Sequence, residues 1–139
     1  MILFSSALVL EKNKITMKIL IIDAANDKIF FKIITKKESY TSDYLNSREN
    51  FDKFSVLLFS FLEKNNVIIE DIDNVFINQG PGKFSGIRIS ISVAKALCFT
   101  NRLNLYGFSS KDLKGQNYEK IIDLYKKGVL IKNLIKPQY

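Results

Sequence analysis

Three of the chain's six glycines and one of its two prolines fall within the seven residues Gly80-Pro81-Gly82-Lys83-Phe84-Ser85-Gly86. An apolar, strand-like run (Asn74 to Gln79) precedes this cluster, and a helix-like run to Thr100 follows it. A glycine turn that ends a strand and opens a helix brings backbone N–H groups to a positive helix end, which suits an anion or close backbone packing. The two commonest phosphate loops do not fit. A Walker loop needs Gly-Lys-Ser/Thr, whereas Lys83 is followed by Phe84, and the dinucleotide pattern needs glycine where Ser85 stands.

The rest of the chain frames that turn in a predicted α/β order. Residues 18–24 form a nearly continuous apolar run ending in Asp23, as in a buried central strand. Asn26-Asp27 supplies turn chemistry for a hairpin whose second arm runs from Lys28 to Thr35, with a third strand over Glu38 to Ser42. Asn46 and Glu49 are spaced as a capping box, which predicts one helix from there to Lys64. Phe51, Phe54, Leu58, Phe61 and Leu62 form its inward stripe, and Val56, Leu57, Phe59 and Ser60 widen the apolar arc beyond one core face. Such a helix is either buried between sheet and loops or packed on its own sheet and on a second protein. A helix over 86–100, a strand over 104–108 and a helix over 117–127 ended by Gly128 follow, and Val129 to Ile135 reads as a last strand or helix. The helix over 86–100 carries small residues, Ser90, Ser92 and Ala94, that allow another helix close approach.

Composition removes several chemistries. With no histidine and a single cysteine, Cys98, the chain has no thiolate–imidazole zinc site, no Ser–His or Cys–His pair and no internal disulfide. Cys98 lies in an apolar helical run and reads as a small buried hydrophobe. An apolar fraction of 47% supports a real core. The net charge of +7 permits contact with RNA or an acidic protein, yet no window interleaves dense basic residues with aromatics. Residues 1–16 lack the basic start and the cleavage site of a signal peptide and are too short to span a bilayer. They read as a non-native or disordered extension before a start at Met17, and the protein as cytoplasmic without a membrane segment.

Read with its flanks, Asn78-Gln79-Gly80-Pro81-Gly82-Lys83-Phe84-Ser85-Gly86-Ile87-Arg88-Ile89-Ser90 resembles the signature G-x-G-P-G-S-F-T-G-[LIV]-R-[IL]-G of the TsaB (YeaZ) family. Asn78, Lys83 and Ser90 depart from it. Lys18 to Ala25 resembles that family's opening strand, Asn104 to Ser110 its P-[LV]-x-G-V-S-S/T strand, and Leu134 to Tyr139 weakly its P-x-Y-L-R ending.

The resemblance implies an α/β fold of the actin-like ATPase (ribonuclease H-like) class: a mixed sheet with antiparallel first strands and flanking helices. Residues 17–112 would form the first lobe and 113–139 a remnant of the second. It further implies a non-catalytic scaffold in the machinery that makes threonylcarbamoyladenosine in tRNA, with a TsaD-type catalytic subunit and a TsaE-type ATPase as partners. TsaD chemistry rests on an H-x-x-x-H motif, which a chain without histidine does not match. The nucleotide-like loop would comprise Asp23, Gly80, Gly82, Lys83, Ser85, Gly86 and Arg88. Hairpin residues Ala24 to Asp27 lack the hydroxyls of a phosphate-holding loop, so no catalytic residue, metal ligand or cofactor of its own is expected, and ATP or ADP would sit only at a partner interface. Asp23 reads as a strand-end hydrogen-bond acceptor in preference to a metal-placing acid, and Phe84 as a core anchor for the turn. Leu57, Ser60, Lys64, Ser92 and Lys95 would line the partner patch, shared with TsaD or with a second copy, and tRNA would be met indirectly. A small actin-like kinase, a degenerate inactive copy and an RNA-binding module are the alternatives.

Overall fold

The computed structural model describes residues 18–139 except 114 and 116. The proposed extension at 1–16 and start at Met17 lie outside the described residues. Six strands form one sheet in the order β3-β2-β1-β4-β5-β6. Strand β1 (Ile19–Asp23) is buried on both faces because it lies between β2 and β4 under helices on each side. The hairpin continues into β2 (Lys28–Ile34), whose alternation buries Ile29, Phe31 and Ile33 on one face. Strand β3 (Ser39–Leu45) runs three residues past its predicted end, since it pairs along the whole of β2 from Ile34↔Ser39 to Lys28↔Leu45. Strands β4 (Asn74–Asn78) and β5 (Asn104–Phe108) add in parallel to β1, and the two-residue β6 (Ile131–Lys132) closes the sheet antiparallel to β5.

The single helix predicted from Asn46 to Lys64 is two. Helix α1 (Arg48–Asp52) breaks at Lys53, and α2 (Phe54–Lys64) restarts at once. The cap is Ser47, whose side chain accepts from Asn50 N, and not the Asn46/Glu49 box. Asn46 is drawn elsewhere: its amide nitrogen donates to the carbonyls of Ala24 (2.9 Å) and Asn26 (2.5 Å), tying the first hairpin to the helix start. Helix α3 (Phe84–Asn101) begins two residues before the prediction and ends on Arg102, a left-handed residue whose N–H bonds Cys98 O.

Helices α1, α2 and α3 cover one face of the sheet. Their core includes Phe31, Phe54, Leu58, Phe61, Ile77, Ile87 and Ile91, with Phe31 edge-on to Phe54 at 5.5 Å. Truncating a fully buried phenylalanine such as Phe54 costs about 3–5 kcal/mol. Helix α4 (Glu119–Lys126) covers the other face over Ile19, Ile21, Phe76 and Phe108. Of the segment expected as a remnant of a second lobe, residues 113–139, helix α4 packs on the sheet and strand β6 pairs into it.

Candidate functional site

The carboxyl ends of β1, β4 and β5 converge where the glycine turn lies, the place where open α/β sheets put their ligands. Asp23 ends β1 and is 2% exposed. Ala25 N–H (3.1 Å) and the Asn78 amide (3.0 Å) donate to its Oδ1, and the Tyr118 hydroxyl (2.7 Å) to its Oδ2. Both carboxylate oxygens are therefore engaged inside the protein. Burial first, then the negative charge and hydrogen bond of Asp23, push the Tyr118 phenol well above its usual range, which keeps it a donor. Tyr118 is held in turn by stacking on Phe30 (5.1 Å, 6°) and by an edge contact with Phe108.

Such an Asp23 does not fit the placing of a nucleotide-bound metal, and the adjoining turn Ala24-Ala25-Asn26-Asp27 offers a phosphate no hydroxyl. Among the described residues no group of three histidine, cysteine, aspartate or glutamate side chains has metal-holding geometry.

The glycine turn is packed against the hairpin. Lys83 N–H donates to Ala25 O at 2.7 Å. A Cβ on Gly82 would strike Ala25 O, and one on Gly86 would strike Ala24 O, so both glycines serve close backbone approach. Gly80 N–H is received by Asn78 Oδ1 (2.8 Å), which also accepts from Ser110 Oγ (3.2 Å). The Asn78 amide thus bridges Asp23 to the turn, a role for a position where the family signature has glycine.

Lys83 pairs with Asp27 at 3.5 Å with both side chains mostly exposed, and Ser85 is exposed in the first turn of α3. Arg88 lies over the Phe84 ring at 5.1 Å. Phe84, expected as a core anchor, is 53% exposed and stacks on Tyr139 instead. Ser90 is buried and donates to Ile87 O, and Cys98 is buried with its thiol pushed up to about 12 by desolvation. The structure brings Asp23, Gly80, Gly82, Lys83, Gly86 and Arg88 to one corner. Asn78, noted in the sequence only as a departure from the signature, and Tyr118 complete it, and Tyr118, 95 positions from Asp23, left no local signal.

A second surface lies on the outer sides of α2 and α3. Leu57 is half-buried and packs against the core. Its placement in an outward patch is corrected: it follows Phe54 by three residues and precedes Phe61 by four, on the inward stripe. The outward apolar residues are Val56 (63% exposed), Phe59 (47%) and Phe99 (89%). Ser60, Lys64, Ser92 and Lys95 are exposed. A shallow groove of about 360 Å³ runs between the two helices, floored by Val93 and Leu97 and edged by Ser55, Phe59, Ser92 and Ala96. No helix among the described residues is long and apolar enough to cross a membrane.

Residues 44–117 match a family model described as TsaD, tRNA N6-adenosine threonylcarbamoyltransferase. The tRNA threonylcarbamoyladenosine biosynthesis protein TsaB of Buchnera aphidicola is 30% identical over 98 residues, 70% of this chain and 47% of that protein. The tRNA N6-adenosine threonylcarbamoyltransferase of Listeria monocytogenes is 31% identical over 61 residues, 44% of this chain and 18% of that protein. Among solved structures, YeaZ from Pseudomonas aeruginosa superposes with a TM-score of 0.66 at 18% identity, over 81% of this chain and 50% of that one. RuvC of Thermus thermophilus superposes at 0.51 with 8% identity, over 81% of this chain and 80% of that one. Both support the ribonuclease H-like, actin-like fold. The chain spans about half the length of the TsaB relative it matches, and less of the TsaD relatives. With its signature turn, its sheet order and these matches, the chain belongs to the TsaD-type family as a TsaB (YeaZ) member.

Proposed function

We propose that this chain is a non-catalytic subunit that docks on a TsaD-type protein in the making of tRNA threonylcarbamoyladenosine. The observation that carries the reading is the set of exposed apolar side chains on α2 and α3: Phe99 is 89% exposed, Val56 63% and Phe59 47%. Large aromatic side chains held out on rigid helices mark association surfaces, because exposing them to water is unfavourable and covering them is not. Small or short residues between them, Ser92 and Ala96, let a partner helix settle into the groove. The self-satisfied Asp23 supports a scaffold over a small kinase, since its carboxylate is already spent on Ala25, Asn78 and Tyr118. In this reading the glycine turn serves to fix the start of α3, and with it the docking helix. A TsaE-type ATPase and tRNA would join through the TsaD-type subunit, and any ATP or ADP would be held at that interface.

Co-purification with the TsaD-type protein of the same organism tests this. Phe99→Glu should leave the melting temperature within about 2 °C of the parent, as an exposed substitution does, and abolish the complex. Retention of the complex by a folded Phe99→Glu variant refutes the proposed face. A homodimer of the chain alone that this substitution dissociates would assign the face to a second copy.

A further inference from the structure

The groove between α2 and α3 is the middle of three depressions. On the α2 side it shares Phe59 with a hollow of about 560 Å³, whose lining includes Glu63 and Glu70. On the α3 side it shares Ala96 and Thr100 with a cleft of about 1100 Å³, whose lining includes Lys95, Phe99 and Arg102. Charge is sorted by flank. Two carboxylates and no cation line the hollow, two cations and no carboxylate line the cleft, and no charged side chain lines the groove between them. Lys64, next to Glu63, is exposed but lines none of the three. Glu63, Glu70, Lys95 and Arg102 are all exposed, and none of them forms an ion pair among the described residues.

We infer that this sorting selects the partner and the way round in which it docks. The face takes an apolar helical surface that carries basic side chains over the α2 flank and acidic ones over the α3 flank. The inference rests on the docking reading above and adds the sign of the partner's charges on each side.

The local structure holds both pairs on defined elements. Lys95 lies on α3 and Arg102 is the left-handed residue that ends it, seven positions on, which is two helical turns and so the same side. Glu63 lies in the last turn of α2, and Glu70 in the short 3₁₀ turn Ile69–Asp71 that follows. Apolar contact along the central groove is indifferent to direction, because burial of apolar surface is non-directional. The flanking charges are not indifferent. A partner turned half round about the normal to the face would set its bases over Lys95 and Arg102 and its acids over Glu63 and Glu70, and like charges opposed at an interface disfavour that arrangement. Coiled coils choose partners by the same device, with charges on either side of an apolar seam. Since the four side chains already stand in water, their main effect is on the encounter, which opposite charges speed and align and which salt weakens.

The test is stopped-flow association of the chain with the TsaD-type protein of the same organism. The parent's association rate constant should fall at least tenfold from low salt to about 0.5 M NaCl. The pair Glu63→Lys, Glu70→Lys and the pair Lys95→Glu, Arg102→Glu should each slow low-salt association at least tenfold, with melting temperatures close to the parent's. These pairs change net charge in opposite directions, so attraction to net charge alone would make one faster and the other slower. That outcome, or unchanged rates in folded variants, overturns the inference, while loss of the complex in Phe99→Glu would leave the docking reading standing. Absence of any complex with the parent removes both. Carbodiimide coupling of the parent complex, which joins a lysine to a carboxylate in contact, needs no variant. It should link Lys95 to an acidic residue of the partner, and Glu63 or Glu70 to a partner lysine. Neither link in a complex that forms, or a link from Lys95 to Glu63 or Glu70 of a second copy, overturns the assignment.

Discussion

The corner at the end of β1 meets the start of α3, the outer face of α2 and α3 takes in the later turns of that helix, and the two are built on opposite terms. At the corner, the polar groups of Asp23, Asn78 and Tyr118 face inward and satisfy one another. On the outer face, apolar groups are turned to water. A buried carboxylate holds its place only when hydrogen bonds replace its water, which is why the corner is closed. An exposed phenylalanine costs the fold little, so the outer face is free to change with a partner. On the proposed function the corner is the support and the helix face the contact, although the corner occupies the sheet position where related architectures bind ligands.

Substitutions on either side separate the two regions. The largest effect belongs to the corner. Gly86→Val drives a side chain into Ala24 O and the Asn46 amide, and the loss should be ~3 kcal/mol through overpacking against backbone that cannot yield. Urea unfolding checks it, and an unchanged midpoint would show that α3 can shift away from the hairpin.

Tyr118→Phe comes next. It leaves Asp23 Oδ2 unpartnered while keeping the ring stacked on Phe30, at a cost of about 1.5–3 kcal/mol near neutral pH. The pH dependence follows from the sign of the shift. Tyr118 has a raised pKa in the folded state, so the unfolded chain releases its proton first and stability falls as pH rises above about 10. The Cys98 thiol, also raised, contributes in the same direction from about pH 8.5 upward. The parent's stability should therefore decline between pH 9 and 11 by roughly 1.4 kcal/mol per pH unit for each such group once it ionises in the unfolded chain. Tyr118→Phe should flatten the upper part of that decline, as urea melts across the range would show.

Leu57→Glu sharpens the comparison, because Leu57 sits on the same helix as Val56 and Phe59 yet packs inward. It should destabilise the fold by about 1–3 kcal/mol, whereas Phe99→Glu should spare the fold. Equal stability of the two variants in the same melts would mean that α2 is rotated relative to the orientation described. At the small end, Lys83→Ala removes the exposed pair with Asp27 and should change stability by less than ~1 kcal/mol. A larger loss in thermal melts would place Lys83 among the supports of the corner.

The periodicity of the chain by itself determined the order of strands and helices, because burial on one face or on both imposes a spacing that residues 19–23, 54–62 and 74–78 keep. The glycines at 80, 82 and 86 announced a turn with no room for side chains, and that crowding is present at each. Local signals could not say which of two nearby caps wins. Ser47 caps α1 because Asn46 is claimed by carbonyls of the hairpin some twenty residues earlier. Nor could spacing say that Tyr118 would close over Asp23, or that Tyr139 would take the side of Phe84 that a core was expected to cover. Those pairings join positions 95 and 55 residues apart, and they are decided by which segments the sheet order and the fold of α4 bring to one end. Hydrophobic pattern acts over one or two turns of chain, whereas satisfying a buried carboxylate requires donors from wherever the tertiary structure can supply them.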